Sequence, residues 1–440
     1  MGELTSAQPL STSADEPPRL ESARLRKLQL LGILCGFAAG AWLGAAEAPT
    51  KLVTAGVSPI VISLLMVAGV FLARWSLPAL IRGTSQVRWD IRQAPHLVAW
   101  GVLAGCLWAV ANTITIFAIR DVGLSIAFPL WNINSLIGIA WGFLLFNELR
   151  DAGTLRWFSV IGGAALMFGG AILLALASSA QSSPEHAFRG TVAALAAGVL
   201  WGTMYVPYRK AYLTGLNPLS FVTFFTIGEL GTMIVLALSY KGPSVLVHEL
   251  IQAKQALFWL LLGGFVWVIG DLFQQYAAKY VGISRGIPLS NTNQLWGLLW
   301  GILVFGELHG RSLSLYVQVI GGSLLMAAGA GAIALASVLE KEHDRWREAA
   351  HREGERYGVD ATYVQAGLAG EDAGSAERRR RTWLDWGVVV VATAVFVGLA
   401  AVSHPPEINL DWNAVALLAA AILFFLGACG IALWKVTRFN

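Results

Sequence analysis

Two apolar segments of this sequence carry asparagines shortly after a proline, and these amides are the first candidates for chemistry. The segments read Pro-Leu-Trp-Asn-Ile-Asn over residues 129–134 and Pro-Leu-Ser-Asn-Thr-Asn over residues 288–293. An amide inside an apolar helix is costly, so it usually faces a partner or a water-filled path. Because an amide both donates and accepts hydrogen bonds, it suits the hydroxyls of a neutral polyol better than a charged ligand. The pattern predicts a binding site for a small polar molecule, with hydrogen bonding between helices as the alternative.

Other amide and tryptophan side chains lie on neighbouring apolar runs. Gln274 and Gln275 follow Asp271 by three and four positions and therefore share its face of a helix. Tryptophan rings offer flat apolar faces on which a sugar ring can stack, and plain packing is the alternative. The predicted substrate-binding residues are Asn132, Asn291, Asn134, Asn293, Trp131, Asn112, Gln274, Gln275, Trp108 and Trp267.

The elements that position these residues occur twice in the chain. Residues 122–149 and 281–308 are identical at more than half of their positions, at a constant shift of 159 residues that brings Pro129 onto Pro288. A period of this length, filled with apolar runs, suits a duplicated membrane domain rather than a solenoid. The same shift pairs Asn132 with Asn291, Asn134 with Asn293, Trp108 with Trp267, Trp141 with Trp300 and Glu148 with Glu307.

Composition predicts that the solvent of this chain is a lipid bilayer. Hydrophobic residues make up 56% and charged residues 13% of the 440 positions, whereas soluble proteins are about 25% charged. A helical span needs about 20 mainly apolar residues, because its backbone must satisfy its own hydrogen bonds. Twelve runs qualify, near 30–53, 57–80, 97–119, 122–147, 156–179, 190–213, 218–240, 256–278, 282–306, 313–337, 384–402 and 411–434. We expect an all-α polytopic membrane protein, with two five-helix bundles followed by two extra transmembrane helices.

The distribution of basic residues predicts the orientation of these spans. Arginines and lysines precede the first run and fill the loop after the second, so the N terminus is expected inside. Each bundle has an odd number of spans, and the second therefore enters from the opposite side as an inverted repeat. The predicted segments are a cytoplasmic tail (1–28), the two repeats (29–180 and 189–338), a charged cytoplasmic linker (339–383) and two accessory helices (384–440). The linker is interpreted as a tether whose first part extends the tenth helix, and both termini are expected on the cytoplasmic side of a bacterial inner membrane.

Four intramembrane charges lack a counterpart in the other repeat. They are Asp271 opposite Asn112, Arg285 opposite Ile126, Glu229 opposite Val70, and Glu47 opposite Tyr205. Maintaining a duplicated fold does not explain them. A carboxylate that binds and releases a proton is one interpretation, with Arg285 holding the charge of Asp271 or Glu229. A static buried ion pair is the other.

Charged residues at the ends of the apolar runs favour structural roles. Glu148 and Glu307 each end a Trp-Gly run, close in sequence to Arg150, Arg156 or Arg311. We expect them to cap or pair helix ends. Cations at other helix exits, such as Arg209 and Lys210, are expected to snorkel, and a gate at the mouth of a path is the alternative.

The remaining residues exclude several function classes. Cys35, Cys106 and Cys429 are isolated in apolar runs, without a second ligand at metal-binding spacing. Nothing at membrane depth has the spacing of a Ser/His/Asp set or a phosphate loop. We therefore expect no cofactor, no metal and no enzymatic activity. The pI of about 9.0 reflects the inside bias of basic residues rather than a nucleic-acid site.

The chain resembles a known superfamily in its repeats and helix ends. Inverted five-helix repeats, Phe-x-Glu at the end of a Trp-Gly helix, and the segment Tyr-Val-Pro-Tyr-Arg-Lys at 205–210 resemble the drug/metabolite transporter superfamily. Within it, the latter segment is similar to the glucose/ribose porters and the rhamnose-proton symporters. The resemblance covers residues 29–338 and implies solute passage by alternating access, with or without coupling to protons. The helices at 384–434 depart from that ten-helix pattern.

The sequence thus predicts a carrier of a small polar metabolite, with a sugar as the leading candidate. A cationic drug or metabolite exporter, using Glu47 as its exchanging carboxylate, is the first alternative. A membrane sensor or scaffold without transport is the second. Coupling to protons, coupling to sodium and simple facilitation all stay open, as does the formation of a homo-oligomer.

Overall fold

The described part of the chain folds into helices joined by short connections. The computed structural model describes residues 18–46, 48–49, 57–122, 130–131, 133–150, 153–178, 184–306, 309–310, 312–335, 340–369, 381–404 and 410–439. The first helices are α1 (Pro18–Ala46), α2 (Pro59–Ile81), α3 (Thr84–Gln93), α4 (His96–Val122), α5 (Asn134–Phe146) and α6 (Thr154–Ser178). The next are α7 (Pro184–Leu213), α8 (Pro218–Lys241), α9 (Pro243–Gln252), α10 (Leu257–Val281), α11 (Ile283–Ser290) and α12 (Asn293–Leu299). A π-helical turn (Trp300–Val304) precedes α13 (Leu313–Leu335), α14 (Glu340–Tyr357), α15 (Ala361–Leu368), α16 (Trp383–Val402) and α17 (Trp412–Thr437).

Many of these helices are suited to a bilayer. Within the described residues, nine helices are long and apolar enough to cross a membrane, namely α1, α2, α4, α7, α8, α10, α13, α16 and α17. This confirms the expected all-α polytopic architecture. The predicted run at 156–179 is observed as α6. The run at 122–147 is described from residue 130 onward except residue 132, so Pro129 and Asn132 lie outside the described residues.

The predicted run at 282–306 is a broken helix. It consists of α11, α12 and the π-helical turn, and the first break falls at Asn291 and Thr292. Pro288 lies inside α11 and has no N–H to give to the helical ladder. At the break, the Thr292 amide donates to the Leu289 carbonyl three residues before it rather than to the Pro288 carbonyl four residues before it. The break lies where the Pro/Asn pattern predicts it, and it presents Asn291 at a helix end.

Glycines let pairs of helices approach closely at equivalent positions of the two halves. At the α2–α10 crossing, a Cβ on Gly264 would lie 2.0 Å from the Met66 carbonyl oxygen. At the α4–α8 crossing, a Cβ on Gly105 would lie 2.0 Å from the Phe225 carbonyl oxygen. The sequence shift that superposes the repeats brings Gly105 onto Gly264. Small residues at such crossings permit backbone contact, so the duplicated segments pack through equivalent surfaces. The opposite orientation of the two halves in a bilayer stays a prediction.

The expectation of a plain tether after α13 is wrong. Residues 340–357 are helical, as expected, but α14 is followed by a second helix, α15, and both pack on the core. Trp346, Tyr363 and Val364 are buried in that contact. Because the segment is dominated by charges, its few apolar side chains are easily overlooked, although they share one face of the helices.

The last two helices flank the core. Trp42 of α1 donates its indole N–H to the Ile422 carbonyl of α17 at 3.0 Å. Asp385, in the first turn of α16, accepts from the backbone N–H of Thr84 at 2.7 Å and thereby caps the start of α3. Most of their remaining apolar surface faces outward, as expected for helices in contact with lipid.

Candidate functional site

An ion pair between α2 and α10 lies at the centre of the site. Arg74 Nη2 is 2.7 Å from Asp271 Oδ2, and both side chains are 0% exposed. The same Asp271 oxygen accepts from Gln275 Nε2 at 2.6 Å, and its second oxygen accepts from the Tyr208 hydroxyl at 3.4 Å. The Arg74 guanidinium carbon also lies 4.0 Å from the centroid of the Phe225 ring. A buried pair held by this many contacts is stable only while both partners are present.

Arg74 is a site residue that the sequence reasoning missed. The expected partner of Asp271 was Arg285, but Arg285 lies in α11 and its Nη1 donates to the Val281 carbonyl at 3.4 Å. Arg74 stands within the second apolar run, where no charge was sought. The repeat shift sets Arg74 opposite Met233, so the comparison that identified the other asymmetric charges would also have found this one.

The equivalent place in the other half is neutral. Asn112, the counterpart of Asp271, donates to the Ser63 hydroxyl at 2.8 Å. That hydroxyl in turn donates to the sulfur of Met233 at 3.3 Å, and Thr113 contacts the same sulfur. The two halves therefore carry matching interhelical contacts, one built from charges and one from neutral groups.

Glu229 of α8 lies beside the ion pair without a hydrogen-bond partner. It is 0% exposed, and in the described part of the protein neither carboxylate oxygen makes a hydrogen bond. The charges of Arg74 and Asp271 both act on it. With Arg74 and Asp271 ionised, the cluster is neutral when Glu229 is protonated and has one net negative charge when it is not.

The predicted tryptophans meet next to this cluster. Trp108 of α4 and Trp267 of α10 are in edge-to-face contact, with ring centroids 4.8 Å apart. The Arg74 guanidinium carbon lies 5.2 Å from the centroid of Trp267. Trp267 thus lies over the Arg74 cation, which its ring stabilises, and its repeat counterpart Trp108 packs against Trp267.

The two Pro/Asn segments also meet in space. Asn291 Nδ2 donates to Asn134 Oδ1 at 2.8 Å and to the Ser135 hydroxyl at 2.6 Å. A small cavity with room for about one water molecule adjoins them and is lined by Ser135, Leu136, Ala164, Met167, Phe168, Asn291, Gln294 and Met326. The amides of the two repeats therefore form one polar contact across the molecule.

The other predicted residues take several places. Gln275 is hydrogen-bonded to the Tyr212 hydroxyl, and Gln274 donates to the Ser290 hydroxyl. Asn293 Oδ1 is buried and makes no hydrogen bond among the described residues. Trp131 packs edge-to-face against Trp201, with ring centroids 5.5 Å apart. Asn132 and Glu47 lie outside the described residues.

Glu148 joins the ends of four helices. Its carboxylate accepts from the backbone N–H groups of Ile283 at 3.2 Å and Ser284 at 2.9 Å, which caps the start of α11. It is paired with Arg209 of α7 at 3.0 Å, and Arg209 also donates to the carbonyl of Ala278 in α10 at 3.2 Å. Glu148 thus has the capping and pairing role expected of it. Its partner comes from α7 rather than from the neighbouring arginines.

Part of the chain is similar to proteins named for sugar transport or sugar uptake. Residues 225–357 match the family described as "Sugar transport protein". The chain is 25% identical over 228 residues to a "Putative sugar uptake protein" of Listeria innocua, covering 52% of this chain and 75% of that one. A second such protein, from Listeria monocytogenes, is 24% identical over 230 residues, with 52% and 75% covered. A "Probable glucose uptake protein GlcU" of Staphylococcus aureus is 22% identical over 217 residues, covering 49% of this chain and 71% of that one.

These likenesses agree with the resemblance read from the repeats and helix ends. The matched region includes Asp271, the broken helix α11–α12 and α14. Together with the nine apolar helices found among the described residues, they indicate a multi-pass membrane protein. Over part of its length the chain is similar to proteins of the sugar transport protein family.

Proposed function

We propose that this protein moves a sugar or a closely similar neutral polyol across a bacterial inner membrane by alternating access. The observation that carries the proposal is the contact of Asn291 with Asn134 and Ser135, which joins the two repeats through neutral donors and acceptors. Such groups match hydroxyls, which also donate and accept. The likeness to sugar uptake proteins supports the same substrate class.

In the proposed mechanism, hydrogen bonds to the substrate replace those that Asn291 makes to Asn134 and Ser135. In the arrangement seen here the amides satisfy each other. A sugar that enters between them offers its hydroxyls to the same groups, so the polar side chains exchange one set of partners for another at little net cost. The break at Asn291 and Thr292 lets the halves of α11–α12 move separately, as discontinuous helices do in other carriers.

We further propose that transport is coupled to protons through Glu229. An unpaired ionised carboxylate at membrane depth is costly, and protonation removes both that cost and the excess charge of the cluster. Asp271 is less suited to this role because Arg74, Gln275 and Tyr208 hold its ionised form. Glu229 is the member of the cluster whose protonation breaks no hydrogen bond shown in the described structure.

The unpaired carboxylate also gives the cation exporter a specific observation in its favour. A buried negative charge beside tryptophan rings can bind an organic cation as well as a proton. Charge of the preferred substrate separates the two functions. The amide contact favours the neutral solute.

Uptake by purified protein in proteoliposomes tests the proposal. A panel of labelled sugars, amino acids and organic cations is offered with and without an imposed pH gradient. We expect saturable uptake of at least one sugar, accelerated by the inward proton gradient. Uptake confined to cations would establish the exporter, and a protein that moves nothing in the panel would favour the sensor or scaffold.

A further inference from the structure

The helices α14 and α15 lie over the end of the core where Glu148 and Arg209 tie the helices together. That end contains the C-terminal turns of α7 and α10 and the start of α11, and the distribution of basic residues predicts that it is cytoplasmic. Opening a path there requires these helix ends to separate, because Glu148 and Arg209 join them. A contact that holds Arg209 in place therefore stabilises the state in which these helix ends are together.

Helix α14 holds Arg209 and its neighbour directly. The Trp346 ring covers the Arg209 guanidinium, with the carbon 3.9 Å from the ring centroid, and Trp346 is only 3% exposed. Arg209 is thus enclosed between Glu148 on one side and Trp346 on another. Lys210 Nζ lies 3.4 Å from a carboxylate oxygen of Glu353.

The end of α14 and the whole of α15 extend this contact over neighbouring helices. Tyr357 stacks on His96 at the start of α4, with ring centroids 3.8 Å apart. Tyr363 donates its hydroxyl to Asp90 Oδ1 at 3.0 Å and packs edge-on against Trp89, both in α3. A Cβ on Gly367 would stand 2.5 Å from the Gly215 Cα, so α15 touches the loop after α7 without a side chain between them.

This contact is confined to one face of a highly charged segment. The buried residues of this segment are Trp346, Ala350, Gly354, Val359, Tyr363, Val364 and Gly367, and Leu368 is partly buried against the core. Most of the other side chains described in α14 and α15 are polar or exposed. Undocking such a segment exposes far less apolar surface than moving a spanning helix, and elements with few buried contacts open most readily. The segment is therefore positioned to release while the core stays folded.

We propose that α14 and α15 form a latch that holds the Arg209 end of the protein closed and must release before that end can open. Trp346 is its main anchor on the core, and Tyr363 is the second. The consequence for transport rate rests on the proposed function, whereas the closing role does not.

Hydrogen–deuterium exchange of the full-length protein in detergent tests the latch without any substrate. The variant Trp346→Ala with Tyr363→Phe removes the aromatic face over Arg209 and the hydroxyl that donates to Asp90, and Trp346→Leu with Tyr363→Phe keeps apolar bulk in case the first variant fails to fold. Glu355→Gln, on the exposed face of α14, is the matched control. We expect amide exchange over residues 207–213 and 278–286 to rise at least about threefold in the anchor variants, the lower bound set by an exposed cation–π contact, and to stay unchanged in the control.

The exchange experiment can also contradict the latch. If a folded anchor variant exchanges faster within residues 340–369 but not over 207–213 and 278–286, α14 and α15 merely cover the core and the latch is wrong. A second experiment measures the rate at which each protein takes up labelled glucose into proteoliposomes. We expect faster uptake in the anchor variants than in the control, and an unchanged rate would overturn the requirement for release. A wild-type protein that moves no glucose would count against that substrate and leave the exchange result to decide on the latch.

Discussion

At the scale of single residues, the cluster of Arg74, Asp271 and Glu229 assigns different roles to two buried carboxylates. Asp271 is the ion-pair partner of Arg74, whereas Glu229 has no hydrogen bond in the described structure. Sequence comparison of the repeats identified both acids but could not separate them, because the distinction lies in which side chain Arg74 contacts. That contact joins α2 to α10, nearly 200 residues apart in the chain.

Replacing Glu229 by Gln should uncouple sugar movement from protons. The amide has no exchangeable charge, so net uptake should no longer respond to a pH gradient, while exchange of labelled for unlabelled sugar persists because it needs no net proton movement. Uptake and exchange assays in proteoliposomes measure this, with Glu249→Gln at the Lys241 ion pair as the control. A Glu229→Gln protein that still responds to the gradient would exclude this residue as the proton carrier.

Asp271→Asn should behave differently from Glu229→Gln. It leaves the buried Arg74 without its charged partner, at a cost of about 3–5 kcal/mol. We expect a lower thermal midpoint or loss of folded protein in size-exclusion chromatography. The matched change in the other repeat, Asn112→Asp, adds a charge to a neutral contact and should also destabilise the fold. A well-folded Asp271→Asn protein that has lost only coupling would transfer the proton role from Glu229 to Asp271.

Asp90 should make stability depend on pH. It lies in α3, outside the membrane-spanning helices, and burial raises the pKa of its carboxyl from 3.8 to about 6 against the opposing effects of Ser220, Tyr363, Arg82 and Gln86. A raised folded-state pKa means that its contribution is fully present below about 3.8 and is lost as pH rises through about 6. Relative to Asp90→Asn, the wild-type thermal midpoint should fall as pH rises from 5 to 7.5, and the free energy of unfolding should fall by about 1.4 kcal/mol, since about one pKa unit lies within that window. Parallel pH profiles for the two proteins would show that Asp90 does not titrate in this range.

At the scale of helices, the sequence predicts a place where the chain bends. Pro288 followed by Asn291 marks the break between α11 and α12, because a missing N–H and a costly amide are local properties. The docking of α14 and α15 could not be predicted in the same way. Trp346 and Tyr363 are single aromatic residues in a charged segment, and only the surface around Arg209 and Asp90 gives them a partner.

The close crossing of α2 and α10 should be sensitive to a single methyl group. Gly264→Ala places a Cβ about 2.0 Å from the Met66 carbonyl oxygen, so the helices must separate. We expect a thermal midpoint clearly below wild type. Gly231→Ala, where a Cβ meets nothing within 4 Å, should be neutral or slightly stabilising because alanine is the better helix former. Equal midpoints for the two variants would show that the crossing is looser than described.

At the scale of the whole molecule, a duplicated core carries two appended helices and a segment packed against one end. The ion-pair cluster lies where α2, α4, α8 and α10 cross, whereas the amide contact joins α5 to the break after α11, and each contains residues from both repeats. Neither α16 nor α17 contributes a residue to the described clusters around Asp271 and Asn291. The sequence predicts this division, since the repeats end before residue 339 and the last two apolar runs match neither of them.

Ending the chain after residue 382 should leave an inserted protein that still moves sugar. The shortened chain keeps α14 and α15 but loses the packing of α16 on α2 and of α17 on α1, so we expect a lower thermal midpoint with retained uptake. Membrane fractionation and proteoliposome uptake measure the two properties. Failure to insert would make α16 and α17 part of the core rather than appended helices.

The central claim is that the amide contact between the repeats is a sugar site, and counterflow of labelled sugar tests it most directly. Asn291→Leu removes the donor to Asn134 and Ser135, while Asn413→Leu changes an exposed amide at the start of α17. We expect counterflow to fall at least about tenfold in Asn291→Leu, as for loss of a buried hydrogen-bond partner, with a normal rate in Asn413→Leu and folded protein in both. Counterflow at the wild-type rate in folded Asn291→Leu would contradict the account, and a parallel loss of fold and counterflow would mean that the amides only hold the helices together.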